Sequence, residues 1–527
     1  MSVISFSSFR PGTRNSEPGT RICTPILSPT VADAKQAIAQ AQVNADWIEL
    51  RLDFLEDLDP DQPRLTVETL LAECSKPVII TFRPKEQGGK REIALNERLA
   101  FWHQILTLPD VHFDLEADFV PLLVEKLGAA ALPWDSIIAS WHEFDHTPED
   151  LRALIEQRFP REAATIKLAV RTASIRDLMA LFTTFQSLAA QSRQRFILIG
   201  MGAPGAPTRI LGPALGSQVT YSAAPDGNLS APGQFSAAEL RQVYRIHHLS
   251  TATKVTGLIG KPVGHSLSPH MHNAAFEALG LDWIYLPFEV QPEGTDLADF
   301  IRLFVHPQSR QFPFQPMGFS ITIPHKQAVI PLLDRLTTTA EAVGAVNTLL
   351  IEGTRLIGHN TDVDGAMRPL EKRFALAGSR VAVLGAGGSA HALVYGLVQR
   401  QAKVTLFARN QEKARSLADK FGIRCCSLED FCGQQFEGAV NCTPLGMHGT
   451  ANPAASPLTP EQLGGLHWVY DLIYRPRLTP LLAVAQAQGI ATLDGLEMLV
   501  EQARLQFAAW TGQEISCELM FAAAQKG

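Results

Sequence analysis

Residues 381–390 read VAVLGAGGSA, a run of small and β-branched residues that stops in a cluster of glycines, and HALVYGLV follows with helical spacing. Gly385, Gly387 and Ala390 occupy the small-residue positions of a GxGxx(G/A) turn, with Gly388 beside them. Between a strand and a helix, such a turn lets the backbone approach a pyrophosphate at the helix N-terminus, so a dinucleotide site is predicted. The next strand-like run, KVTLFARN (403–410), carries no acid where NAD would need one for its ribose hydroxyls. Arg409 stands there instead and Lys413 follows one turn on, two cations suited to a 2′-phosphate, which makes NADP the expected cofactor.

Upstream, KVTGLIGKPVGHSLSPHMHNAAFEALG (254–280) reads as a strand, a turn and an amphipathic helix. Ser268 before Pro269 has the form of an N-cap, and capping and ligand binding are both open to it. His265, His270 and His272 have no carboxylate or cysteine at ligand spacing, so they read as structural and no metal is expected. FSITIPHK (319–326) ends in Lys326, AVNTLL (345–350) holds Asn347, and GHNTDVDGA (358–366) holds Asp362. Each polar group sits where an apolar strand runs out into a loop. A lysine beside an aspartate can bond a substrate hydroxyl and exchange the proton that accompanies hydride transfer; a structural ion pair is the other reading of the same two residues.

The first half has a different rhythm. Eight apolar or β-branched runs recur from Arg21 to His248: 21–26, 47–54, 77–83, 111–117, 136–144, 165–170, 195–201 and 219–223, with helical patterns between them. Eight such units predict a closed (β/α)8 barrel with chemistry at the C-terminal strand ends, and an open sheet is the alternative. Strand parity puts Glu49 and Arg51 on one face, and sets Lys167 opposite to Ile166 and Leu168, hence inward. An enclosed lysine without a task is expensive, whereas one that condenses with a ketone must shed its proton, which takes desolvation and nearby cations. Arg51, Arg83 and Arg209 are the expected cations. His142, one strand before Lys167, is placed to act as general acid and base.

The chain has 527 residues, 46% hydrophobic and 19% charged, which suits several packed domains and excludes a disordered polypeptide. Its net charge of −7 leaves no basic excess for a nucleic acid or an anionic membrane, and small molecules are the expected partners. Seven scattered cysteines without a CxxC pair suit a reducing compartment, and the cytoplasm is expected. Residues 1–19 read as a flexible tail, with a trimmed plastid transit peptide as the alternative. Ser236 and Glu239 have capping-box spacing and predict a helix to about His248, before a polar linker at 249–253.

IELRLDF (48–54), TFRPK (81–85) with a following GG, SWHEFDHTP (140–148), TIKLAV (165–170) and SAPGQ (230–234) resemble type I 3-dehydroquinate dehydratase over residues 20–248. The resemblance implies metal-free loss of water from 3-dehydroquinate through an imine, with Lys167 as the amine, His142 as proton shuttle and Glu49 orienting the histidine. It also implies Arg209 on the substrate carboxylate, Arg51 and Arg83 on ring hydroxyls, and Ser230 and Gln234 in a loop closing over the substrate. For those last two, an ordinary Pro-Gly turn is the plainer reading. In that family a glutamate often precedes the GG pair; here it is Gln87, with Glu86 one place earlier.

GKPVGHSLSP, ITIPHK, GAVNTL, NTDVDG, GAGGSA, NCTPLGM, YDLIY and DGLEMLVEQA, in unbroken order over 254–527, resemble shikimate dehydrogenase. This implies Lys326 and Asp362 as catalytic dyad, Ser266 and Ser268 on the carboxylate, Thr322, Asn347 and Gln502 on ring hydroxyls, and Tyr474 on the substrate side. Gly385, Gly387 and Gly388 would lie against the diphosphate, Arg409 and Lys413 at the adenosine phosphate, and Thr443 and Met447 toward the nicotinamide. Where that family usually has NRT, this chain has Ala408, Arg409 and Asn410.

The expected fold class is therefore α/β: a barrel over 20–248, then a substrate domain (254–360), a Rossmann NADP domain (361–495) and C-terminal helices (496–527) returning to the substrate domain. A dehydratase followed by a dehydrogenase is the order of the bifunctional shikimate-pathway enzymes, which dehydrate 3-dehydroquinate and then reduce 3-dehydroshikimate to shikimate with NADPH. Quinate dehydrogenase activity in the second half, or a metabolite sensor without catalysis, are the alternatives.

Overall fold

The computed structural model describes residues 21–192, 194–225, 227, 233–450 and 452–527. Two compact units are present: the chain up to Lys254 with Leu286–Val305 and Ser309–Gln315, and Val255–Tyr285 with His306–Gln308 and Pro316–Gly527.

In the first unit the eight expected runs form eight parallel strands: β1 (Arg21–Ile26), β2 (Trp47–Arg51), β3 (Val78–Thr81), β4 (His112–Glu116), β5 (Ile137–Glu143), β6 (Thr165–Arg171), β7 (Arg195–Met201) and β8 (Val219–Tyr221). Neighbours in sequence are neighbours in space from β1 to β7, and β8 returns to pair with β1. A parallel bridge from Phe196 to Ser217 closes the ring onto β7. The barrel reading holds, and the open-sheet alternative falls away.

Alternation along each strand sends one face inward and the other to the helix layer. The interior is divided. Strands β2 to β6 turn Glu49, Thr81, Asp114, Ser140 and Lys167 inward, all of them buried. Strands β7, β8 and β1 supply an apolar wall that includes Ile197, Ile199, Tyr221 and Cys23. The capping box forms as expected: Ser236 Oγ accepts the Glu239 N–H at 3.1 Å and Glu239 Oε2 accepts the Ser236 N–H at 2.8 Å. The expected helix to His248 does not. A π-type turn covers Glu239–Val243, and Arg245 takes a left-handed φ of 48° before a 3-10 turn at Ile246–His248. Tyr244 and Ile246 are both buried; residues two apart lie on opposite sides of a helix, so the chain bends to bury both.

The second half holds two six-stranded sheets. A mixed sheet runs in the order Trp283–Glu289, Lys254–Gly260, Gln315–Ile321, Thr348–Glu352, Arg355–His359, Arg335–Leu336. An all-parallel sheet runs Arg424–Cys426, Lys403–Phe407, Arg380–Leu384, Gly438–Asn441, Trp468–Asp471, Ala491–Leu493. This is the Rossmann order, and its direction reverses between Arg380–Leu384 and Gly438–Asn441, where a crevice must open at the strand ends. The long helix Gly495–Thr511 packs back on the mixed sheet, with Trp510 Nε1 donating to the Leu349 carbonyl at 3.1 Å.

Two candidate active sites

Lys167 points into the barrel and is 5% exposed. Its Nζ donates to Asp114 Oδ2 at 2.8 Å and lies 3.7 Å from Glu49 Oε1. The nearest charges are thus carboxylates rather than the expected arginines. Arg51 is held by Asp53 through bonds of 2.9 and 2.8 Å, and Arg83 by Asp114 at 2.7 Å and Glu116 at 2.9 Å. Buried charges find counterions before they tune a neighbour.

His142 follows Ser140, the residue paired with Lys167, and so stands one layer nearer the strand ends. Burial, together with the cations Arg83 and Lys167, holds its imidazole well below the usual histidine range, and it is neutral at neutral pH. Its Nδ1 has no hydrogen-bond partner among the described residues. Glu49, expected to orient this ring, instead accepts from Thr81 Oγ1 at 2.8 Å, because β2 places it a layer too deep. Gln87 does part of that task through the main chain, its Oε1 accepting the His142 N–H at 3.0 Å. The glycines after it are required by space: a Cβ on Gly89 would lie 1.9 Å from the Arg83 carbonyl oxygen.

Arg209 is buried with no carboxylate bonded to it among the described residues. Among the described residues its Nη1 reaches only the Tyr221 carbonyl, at 3.4 Å, and its Nε has no partner; burial lowers its pKa to about 10. Gln234 is half-buried, and Ser230 lies outside the described residues.

In the second half, Lys326 Nζ donates to Asp362 Oδ2 at 2.6 Å, while Asn347 Nδ2 donates to Asp362 Oδ1 at 2.7 Å and to Gln502 Oε1 at 3.4 Å. Four of the expected residues therefore form one network at the first turn of the helix Asp362–Glu371. Among the described residues, Ser266, Ser268, Thr322 and Tyr474 make no hydrogen bond to it. Ser268 is not the N-cap: it is already the first residue of its helix, and Ser266 Oγ accepts its N–H at 3.2 Å. Pro269 suits the second helical position as well as the first, which shifts the start by one residue. Thr322 packs on Gly260, where a Cβ would meet its methyl at 2.3 Å. Tyr474 packs on the core that includes Phe507, and Met447 is exposed.

At the Rossmann crevice a cavity of about 660 Å³ is bounded by Gly385, Gly387, Arg409, Lys413 and Thr443. Gly385 has φ +102°, and Cβ atoms at Gly387 and Gly388 would project into open space at the start of the helix Gly388–Gln399. Those three glycines leave the room a diphosphate needs, and Arg409 and Lys413 offer cations to a cavity whose lining among the described residues holds no acid, so the residues fit NADP. Asn410 caps the next helix, its Oδ1 accepting the Lys413 N–H at 3.0 Å.

Several contributors escaped the sequence reading. Asp114 and Glu116 had a signal: two acids at alternate positions of an apolar run share the inward face. Asp471 had none. It is fully buried and accepts from Asn441 Nδ2 at 2.9 Å, Thr479 Oγ1 at 2.7 Å and the Ile473 N–H at 3.1 Å, while Asn441 Oδ1 accepts the Thr443 N–H at 2.9 Å. Asp471 thereby fixes the crevice loop. Burial raises its carboxyl from 3.8 to about 6. A raised carboxyl pKa means the folded state holds the proton more tightly, so this contribution is present below pH 4 and is lost as pH rises through 6. Asp471→Asn keeps the acceptor for Asn441. It should gain roughly 2–3 kcal/mol over wild type between pH 4 and 7. Calorimetric Tm curves for the two proteins should therefore diverge across that range; parallel curves would refute the assignment.

Comparison with known proteins follows the same division. Type I 3-dehydroquinase matches residues 22–251, the shikimate dehydrogenase substrate-binding domain 258–349, and the shikimate 5′-dehydrogenase C-terminal domain 495–525. Residues 380–454 match the coenzyme F420-dependent NADP oxidoreductase family. The bifunctional 3-dehydroquinate dehydratase/shikimate dehydrogenase of Arabidopsis thaliana, a chloroplastic protein, is 31% identical over 94% of this chain and 83% of its own length. The shikimate dehydrogenase (NADP(+)) of Oleidesulfovibrio alaskensis is 46% identical over 49% of this chain and 90% of its own. The crystal structure of Thermus thermophilus shikimate 5-dehydrogenase is 34% identical, covering 52% of this chain and 98% of that one, with a TM-score of 0.46.

Proposed function

The chain belongs to the family of bifunctional 3-dehydroquinate dehydratase/shikimate dehydrogenases, and from that premise we propose how its residues divide the two reactions. The first unit dehydrates 3-dehydroquinate to 3-dehydroshikimate, and the second reduces this to shikimate with NADPH.

In the barrel, Lys167 Nζ bonds to the ketone carbon and the ketone oxygen leaves as water, producing a cationic imine. That cation draws electrons from the adjacent carbon, and the neutral His142 takes the proton there. The same proton returns to the departing ring hydroxyl, so the net loss is one water, and hydrolysis of the imine restores the lysine. Arg209 takes the substrate carboxylate, and Arg51 and Arg83 meet the ring hydroxyls. The observation that carries this reading is the enclosed Lys167 one layer beneath an uncharged imidazole.

In the second unit, bound NADPH supplies a hydride. Gly385, Gly387 and Gly388 seat its diphosphate, and Arg409 and Lys413 its 2′-phosphate, with Thr443 and Met447 toward the nicotinamide. Lys326 gives a proton to the substrate carbonyl oxygen, Asp362 holds Lys326 in place, and Asn347 locks Asp362. Ser266 and Ser268 bind the carboxylate, with Thr322, Gln502 and Tyr474 around the ring. Incubating the protein with 3-dehydroquinate and NADPH should yield shikimate in one vessel. Accumulation of 3-dehydroshikimate without NADPH consumption would overturn the second assignment, and oxidation of quinate in preference to shikimate would redirect it.

Arg209 offers a separate test. Its guanidinium is buried with no counterion among the described residues, an arrangement that destabilises the empty barrel and is relieved when a carboxylate arrives. Arg209→Met should therefore raise KM for 3-dehydroquinate by about a hundredfold while raising Tm of the free protein. A lower Tm with unchanged KM would contradict it. The seven cysteines are all free thiols, which supports a cytoplasmic place for the enzyme, and no helix among the described residues is long and apolar enough to cross a membrane.

A further inference from the structure

Tyr221 stands on the apolar wall of the barrel, yet its ring lies against the reacting amine. Lys167 Nζ is 4.1 Å from the ring centroid. The residue is 4% exposed. Register on β8 sets it opposite Cys23 of β1, and its carbonyl receives Arg209 Nη1. Tyr221 thus meets the lysine through its ring and the arginine through its main chain.

We propose that the face of Tyr221 is a catalytic surface that stabilises the cationic imine formed on Lys167, a role that rests on reading Lys167 as the imine-forming amine. The free ammonium has three N–H donors, and Asp114 at 2.8 Å and Glu49 at 3.7 Å lie beside them. When Nζ bonds to the ketone carbon and water departs, the charge remains but only one N–H is left. Hydrogen bonding to the carboxylates is then cut back. A π face needs no donor, because it acts on the charge itself, and in a water-poor interior that attraction is at its strongest. A planar iminium also presents more of its charge to a ring than a tetrahedral ammonium does. The ring therefore favours the iminium over the free ammonium and raises the share of bound enzyme held in the electron-accepting state.

Borohydride delivers hydride to the imine carbon and leaves a stable secondary amine on Lys167, so the rate of adduct formation with 3-dehydroquinate reads the iminium directly. Tyr221→Phe serves as reference for a series with one, two and three ring fluorines at position 221. These rings have nearly the shape of phenylalanine while each fluorine withdraws density from the face, so loss of folding does not confound the comparison. Adduct formation and dehydratase kcat/KM should fall stepwise, to about tenfold below the phenylalanine value for three fluorines, with Tyr221→Leu at least as low. A flat fluorine series would overturn the role of the ring. Absence of any Lys167 adduct in the wild-type protein would overturn the reading of the lysine on which it rests.

Discussion

Lys167→Ala should abolish dehydration, with a loss of at least about ten-thousandfold in kcat, because no other lysine among the described residues is buried. Reduction of 3-dehydroshikimate by NADPH in the same sample should stay within about twofold, since Lys167 and the Lys326–Asp362 network belong to separate compact units and share no partner. Removing the ammonium also leaves Asp114 and Glu49 with one buried cation fewer, and breaking such a pair costs about 3 kcal/mol or more. Lys167→Arg separates the two effects. Its guanidinium keeps the charge beside Asp114 but does not condense with a ketone at neutral pH, so it should keep a Tm near wild type and be equally inactive. Mass spectrometry after borohydride treatment checks the same point, as the adduct should map to Lys167. Dehydratase activity surviving in Lys167→Arg would remove the imine from the mechanism.

The mirror experiment concerns Lys326 and Asp362. Lys326→Ala and Asp362→Asn should each lower kcat for shikimate oxidation by about a hundred- to ten-thousandfold with smaller changes in KM, because the pair handles a proton that moves only in the reaction itself. The two residues share a bond of 2.6 Å and act as one unit. The double variant should therefore fall no more than about threefold below the worse single variant. Asp362→Asn is the milder structural change, because Asn347 Nδ2 still finds an oxygen there. A purely structural ion pair would give the opposite pattern: kcat preserved, Tm lowered, and losses that disappear on cooling.

Residue pattern alone located eight barrel strands, the inward sense of Lys167, the glycine turn at 385–388 and the cation pair Arg409 and Lys413, since each depends on periodicity or on neighbours a few positions away. Distant partners were not legible there. The resemblance implies that Glu49 orients His142, but strand register puts it a layer too deep, beside Thr81 and Lys167. Residue type makes Arg51 and Arg83 the expected cations beside the lysine, but Asp53, Asp114 and Glu116 claim them. The helix expected to run to His248 broke because Tyr244 and Ile246 both had core to fill. Local order determines which face a side chain presents; which group meets it across a barrel, as Tyr221 meets Lys167 from β8, is decided by closure of the chain on itself, because counterions and rings are chosen by distance in space and not in sequence.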